Sequence, residues 1–320
     1  MGLRLSQISS LTGVKRHTLN ARVNNKLEKS NLERTSGNQI VLRPNQIKQI
    51  ISEEMISTPG KIIYIGNLKG GVGKTTISYL LSDTLSELGL KVCCIDLDVQ
   101  SNLTNLLLGN ETERPVFYDL IDKSAKIENL PVNVKENLDI IPSSLKNSLI
   151  EKALTIQAPK HHLSWFKKLC INYLRSTYDV ILVDTPPNLT TLNSVFSLSL
   201  NKTDNVVIPV NPEEFSIMGV QMFIEDIAEI RKSYEVEDEP QISIIMNRFF
   251  QNHRNNLEVL VKMSGLFDGS LSEVIIRDIA RLREVINNKE SIKDIKNGKD
   301  ILETIHGLLV ETNTLKAMGE

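Results

Sequence analysis

Leu68-Lys-Gly-Gly-Val-Gly-Lys-Thr-Thr76 is one residue away from a standard phosphate-binding loop. The general pattern, G-x-x-x-x-G-K-[ST], is a glycine-rich turn whose backbone N–H groups converge on phosphate oxygens. Gly73, Lys74 and Thr75 fill its last three positions, whereas Leu68 stands where the first glycine belongs and a second lysine, Lys69, follows it. The apolar run Lys61–Ile65 leads into the loop and an amphipathic stretch, Thr75–Leu88, leaves it. A strand–loop–helix setting is what gives such a match structural meaning, because a helix N-terminus presents free N–H groups and positive potential to an anion. In that setting Lys74 is placed to reach the terminal phosphates of a nucleotide, and Thr75 to hold Mg²⁺ through its hydroxyl. A glycine-rich turn with a solvated lysine is the bland alternative.

Working outward, short β-branched runs alternate with stretches of helical length. The runs are 61–65, 91–96, 138–142, 178–184, 205–210 and 242–247; Thr75–Leu88, Ser164–Ser176 and Gly219–Tyr234 are among the helical stretches. Continuous apolar strands are those covered on both faces. The alternation therefore predicts an α/β fold, a mostly parallel twisted sheet with helices on both faces. Asp184 ends the apolar run Val180–Asp184 and precedes Thr-Pro-Pro, and Asp96 and Asp98 end the run that starts at Lys91. Ligands of such folds sit at the carboxyl ends of the strands, so Asp184 can orient Mg²⁺ through water. Asp96 or Asp98 can position the attacking water or accept its proton. A lone strand-terminal aspartate is more often a turn residue, but three beside a phosphate loop point to chemistry.

Residues 1–51 read as a different unit, joined through a linker, 52–60, to a body spanning 61–320. Leu5–Thr12 predicts a helix with Ile8 and Leu11 inward, ended by Gly13. Lys15–Asn25 predicts a second with Leu19 and Val23 inward and Lys15, Arg16, His17, Thr18, Asn20 and Arg22 outward. Residues 34–44, with a Gly-Asn turn, could add a hairpin, which together gives a winged helix-turn-helix with a polar face suited to phosphates and base edges. A small helical packing module has the same pattern. Residues 1–56 hold nine Lys/Arg against four Asp/Glu, while the whole chain of 320 residues is at −2, so a basic front sits on an acidic body. That asymmetry suits a front that meets nucleic acid.

Four motifs together resemble the ParA-type partition ATPases of the deviant Walker A group: Lys69–Thr76, Asp96–Thr104, Val180–Pro187 and Val207–Gly219. The resemblance runs from Lys61 to about residue 295, and Gly13–Pro44 resembles the winged helix of larger plasmid members. It implies ATP or ADP with Mg²⁺ as cofactors and a loop, Lys69, Gly70, Gly71, Val72, Gly73, Lys74, Thr75 and Thr76, wrapped on the phosphates. It implies Lys69 as a cation reaching the partner's nucleotide in a homodimer, Lys74 and Asp96 as catalytic, and Thr75, Asp96 and Asp184 at the metal. Asn247, Pro209 and Asn211 would flank the base. DNA would be held non-specifically through Arg254, Arg277, Arg281 and Arg283, and hydrolysis would be stimulated by a ParB-type centromere-binding protein. The N-terminal unit would act on the protein's own operator. A cytoplasmic, nucleoid-associated plasmid-segregation ATPase is the resulting expectation. Val99, Ile276 and Leu68 depart from residues common in relatives without removing a catalytic group.

Competing classes fare less well on the residues. A membrane-cycling, MinD-like ATPase needs a basic amphipathic C-terminal helix, but the last twenty residues hold Lys316 as their one Lys or Arg. A redox carrier needs cysteines spaced to hold a cluster, and the three cysteines include an adjacent pair, Cys93 and Cys94, inside a core-like run. An ATP-sensing transcription regulator differs from the partition expectation only in lacking DNA coating and partner-stimulated turnover. No apolar run of membrane-spanning length and no signal-peptide core is present, which predicts a cytosolic protein without a membrane partner.

Overall fold

The computed structural model describes residues 2–56, 59–109, 114–156, 166–277, 284, 286–291 and 299–316. At the N-terminus, β1 (Leu3–Arg4) leads directly into α1 (Leu5–Thr12) and α2 (Arg16–Lys26), followed by β2 (Glu33–Arg34), β3 (Ile40–Leu42) and α3 (Pro44–Ile50). Gly13 closes α1 at φ 72°, a left-handed conformation that costs glycine nothing because it has no Cβ. Leu5, Ile8, Leu11, Leu19 and Val23 are buried, as their helical spacing requires. The three short strands pair antiparallel in the order β1-β3-β2.

The rest of the chain supplies β4 (Lys61–Ile65), α4 (Lys74–Glu87), β5 (Val92–Asp96), α5 (Asn102–Leu108), α6 (Phe117–Ile121), β6 (Val132–Lys135), β7 (Leu138–Ile141) and α7 (Ile150–Ile156). A π turn, Lys167–Ile171, runs into α8 (Asn172–Thr177); β8 (Val180–Asp184), α9 (Thr191–Leu198), β9 (Asn205–Val210), α10 (Glu214–Ser233), β10 (Gln241–Phe249), α11 (Arg254–Leu266), β11 (Leu271–Arg277) and α12 (Lys299–Glu311) follow. Eight strands form one sheet in the order β11-β10-β9-β4-β8-β5-β7-β6. All neighbours are parallel except β6 with β7. Every residue of β4, β5, β8 and β9 is buried, which is why these strands read as unbroken apolar runs rather than alternating ones. Along β4, Ile63 and Ile65 join one core while Ile62 and Tyr64 join the other, so helices cover both faces.

The N-terminal unit shares the first of these cores. Leu3, Ile8, Leu11, Ile47 and Ile50 lie in one cluster with Leu85 and Leu88 of the α4 end and with Ile305 and Leu308 of α12. The Leu11 carbonyl is 2.9 Å from His306 Nδ1. Residues 53–56 are anchored too, since Met55 bridges to Leu315 and the Ile56 N–H donates to the Thr314 carbonyl.

One expectation is corrected here. Arg22 does not face outward: its Nη1 donates to Glu54 at 2.7 Å and to the Ile50 carbonyl at 2.9 Å, and its Nη2 to Glu53 at 2.9 Å. Three acceptors brought round by the α3 turn draw the guanidinium across the base of α2, leaving the side chain 16% exposed.

Candidate active site

The loop between β4 and α4 lies at the carboxyl edge of the sheet, beneath the ends of β5, β8 and β9. Gly71 and Gly73 adopt φ 72° and 100°, which lets the backbone curl back toward the helix axis. A Cβ on Gly73 would also lie 2.2 Å from Asn247 Nδ2, so the loop and the end of β10 meet where only glycine fits. Asn247 Nδ2 donates to the Val72 carbonyl at 2.7 Å. On the other side of the loop, open space lies beyond Gly70 and Gly71, where an added Cβ meets no atom within 4 Å. No side chain caps the first turn of α4, so its N–H groups and positive end remain for an anion.

Lys74 is 7% exposed, and its Nζ donates to the carbonyls of Asn67 and Lys69, both at 3.1 Å. Burial pushes its pKa down against the opposing pull of Asp184 and Asp98. Thr75 Oγ1 donates to Asp184 Oδ2 at 2.8 Å, and Ser78 Oγ, one turn along α4, donates to Asp184 Oδ1 at 3.0 Å. Asp96 and Asp184 are register partners on adjacent strands and point to the same face. Asp96 is fully buried and accepts from the Thr104 N–H at 2.9 Å, Thr104 Oγ1 at 2.7 Å and the Asp98 N–H at 3.0 Å. Desolvation pushes Asp96 up to about 6 and Asp184 up to about 8, the latter also raised by the charge of Asp96. Like charges side by side in a dry site resist joint ionisation.

Lys69 lies at the front of the loop, its side chain 34% exposed, and is ion-paired with Glu213. The Asn67 carboxamide ties the same loop to β9: Oδ1 accepts from the Lys69 N–H at 2.9 Å and Nδ2 donates to the Pro209 carbonyl at 2.8 Å. Pro209 and Asn211 are buried beside it, and Asn211 Oδ1 is a buried acceptor without a partner. Asn67, Ser78, Thr104 and Glu213 were not singled out by sequence. Asn67 and Ser78 flank the loop, and Thr104 and Glu213 lie inside quoted motifs, so proximity was the available signal.

The family model for the AAA domain (AAA_31) matches residues 60–242. The sporulation initiation inhibitor protein Soj of Bacillus subtilis is 30% identical over 241 residues, spanning 73% of this chain and 90% of Soj. The chromosome partitioning protein ParA of Caulobacter vibrioides is 26% identical over 234 residues, 72% and 85% of the two chains. The chain belongs to the ParA-type P-loop ATPases. The solved ATP complex of a McdA variant from Cyanothece covers 81% of this chain and 98% of its own, with a TM-score of 0.69 at 20% identity, a likeness of fold.

The residues of this ParA-type site fit a magnesium nucleotide. The orphaned Asn211 oxygen, the uncapped α4 N-terminus and the open face above Gly70 and Gly71 are the features a nucleotide would satisfy. Among the described residues, no group of three or more His, Cys, Asp or Glu could hold a metal alone. Mg²⁺ is commonly held by few protein oxygens together with substrate phosphates, which matches Thr75 with Asp184 behind it. Thr76, half-buried, follows in the first turn of α4.

The basic residues of the ParA-type chain are scattered. Lys15, Arg16 and His17 are exposed and Thr18 is half-buried on α2, far in sequence from the loop. Arg254 is 93% exposed and pairs with Glu258 one turn on. Arg277 is exposed at the end of β11, while Arg281 and Arg283 lie outside the described residues. No helix of the described residues is long and apolar enough to cross a membrane.

Proposed function

We propose that this protein is a DNA-partition ATPase of the plasmid type, whose active unit is a pair of chains closed on two nucleotides. Bound Mg²⁺·ATP supplies the phosphoryl group and the cation that offsets its charge. Lys74, which has a third N–H donor beyond the two that hold the carbonyls of Asn67 and Lys69, would reach the terminal phosphates, and the loop N–H groups from Gly70 to Thr76 would line their oxygens. Thr75 would hold the metal through its hydroxyl oxygen while its O–H donates to Asp184. Asp96, held by Thr104 and the Asp98 N–H, orients the attacking water and takes up its proton. Lys69 acts on the nucleotide of the second chain, and Asn247, Pro209 and Asn211 border the base.

The observation that carries this reading is the convergence of Lys74, Thr75, Asp96 and Asp184 at the carboxyl edge of one sheet, with Lys69 as a second cation in front of them. The N-terminal unit is read as a winged helix-turn-helix that binds operator DNA through Lys15, Arg16, His17 and Thr18 and represses its own operon. In support are its two consecutive helices, α1 and α2, its antiparallel β2–β3 pair and its basic charge. The ATP-bound pair binds DNA non-specifically through residues such as Arg254 and Arg277, and a ParB-type protein accelerates hydrolysis and release.

The test is binding to random DNA and to DNA from upstream of the gene, with ATP, ADP or no nucleotide, at about 50 and about 200 mM salt. Random-DNA binding that requires ATP and falls steeply with salt is expected, because the contacts are to phosphate. Binding indifferent to nucleotide would overturn the partition reading in favour of a simple regulator.

A further inference from the structure

On the reading that Lys69 serves a second chain, it must first leave its own. Lys69 is held within its own chain: its ammonium is paired with Glu213, the residue just ahead of α10. We propose that Glu213 is a positioning residue that holds Lys69 on its own subunit and so sets the threshold for pairing. Glu213 is itself fixed. Its N–H donates to the Asn211 carbonyl at 2.8 Å, and the Asn211 side chain favours its charged form. Arg248, exposed at the end of β10, attracts the same carboxylate, so Glu213 keeps a cation of its own chain when Lys69 departs.

The release is linked to the nucleotide through the backbone. Lys74 Nζ donates to the Lys69 carbonyl, and the Lys69 N–H donates to Asn67, whose carbonyl Lys74 also holds. A phosphate drawn to Lys74 competes with these two carbonyls for its three N–H donors, and each bond given up frees the segment that carries Lys69. A nucleotide thereby loosens the residue that the second chain needs, while Glu213 resists until the second chain offers a stronger anion. The strength of the restraint follows from exposure. With the two side chains 34% and 53% exposed, the pair sits in high dielectric, where such contacts alter an equilibrium by up to about five-fold. Two chains pair only after both lysines are released, so the two factors multiply, to about 25-fold at most in the dimer dissociation constant.

The experiment measures self-association of the full chain by sedimentation, with a non-hydrolysable ATP analogue and Mg²⁺, for wild type, Glu213→Gln and Glu213→Asp. Glu213→Gln, which keeps shape but loses charge, is expected to pair about 4- to 25-fold more tightly, and Glu213→Asp to return toward wild type. At about 0.5 M salt the gap should narrow, because screening weakens the exposed pair in the wild type; a purely structural effect would not respond in this way. Wild-type or weaker pairing by Glu213→Gln, or a gap unchanged by salt, overturns the holding role alone. A wild type that stays single with the analogue overturns the pairing reading, and the holding role falls with it.

Discussion

At the scale of single residues, the chemistry of the site is set by what has been excluded from it. Asp184 sits under the loop with two hydroxyl donors and a neighbouring carboxylate, and desolvation carries it to about 8. An unfolded aspartate titrates near 3.9, so between about pH 4 and 8 the native chain binds a proton that the unfolded chain does not. That stabilising term is present in full at the acid end and is lost as pH rises through 8. Without nucleotide or metal, the melting temperature of the wild type should therefore fall between pH 5 and 8 relative to Asp184→Asn, which cannot titrate. Parallel profiles from scanning calorimetry would contradict the burial of an ionisable Asp184. Lys69 makes a separable prediction. Its side chain contacts Glu213 rather than the loop interior, so Lys69→Ala should bind a fluorescent ATP analogue within about three-fold of wild type yet lose ATP-driven self-association. Loss of nucleotide binding itself would place Lys69 in its own subunit's site.

At the scale of elements, α2 carries two arginines with opposite duties. Arg16 is exposed, and its replacement by alanine should change stability by no more than about 0.5 kcal/mol while weakening upstream-DNA binding. Arg22→Ala removes hydrogen bonds to Glu53, Glu54 and the Ile50 carbonyl, and charge-assisted bonds of this kind contribute about 1.5–3 kcal/mol. Urea denaturation should report a loss of that order for Arg22 and almost none for Arg16. Both arginines look alike in sequence, because Arg22's partners lie 28 to 32 residues away and leave no local trace. By contrast, β4, β5, β8 and β9 were legible, since burial on both faces leaves an unbroken apolar run. The loop was legible because its glycines and lysine are the chemistry. β6, with Val132 and Val134 half-buried and Asn133 exposed, offered too little contrast, and β11 carries a register shift against β10. Asn67 was missed because one carboxamide serves two loops that meet only in the fold.

At the scale of the whole molecule, the N-terminal unit is packed onto the helix that begins at the nucleotide loop. α4 has Lys74 and Thr75 at one end, and its other end runs into Gly89, whose φ of 88° and place against α3 leave no room for a side chain; a Cβ there would lie 2.4 Å from the Pro44 carbonyl. Gly89→Ala should therefore cost about 1–3 kcal/mol through backbone strain alone, more if α3 is pushed off, and its unfolding midpoint in urea would show it. The same packing bears on whether residues 1–51 can be removed. Leu85, Leu88, Ile305 and Leu308 are each fully buried in a cluster that Leu3, Ile8, Leu11, Ile47 and Ile50 help to form. Deleting the N-terminal unit would return part of that apolar surface to water, and each Leu or Ile side chain so exposed forfeits about 1.5–3 kcal/mol. Several such residues together approach the whole stability of a typical domain. A fragment of residues 52–320 is therefore expected to aggregate, or to melt many degrees below the intact chain, in contrast to a tethered module whose removal leaves the body unchanged. Circular-dichroism melting of the two proteins decides between these: coincident transitions would mean that the shared core contributes little and that the two units are thermodynamically independent.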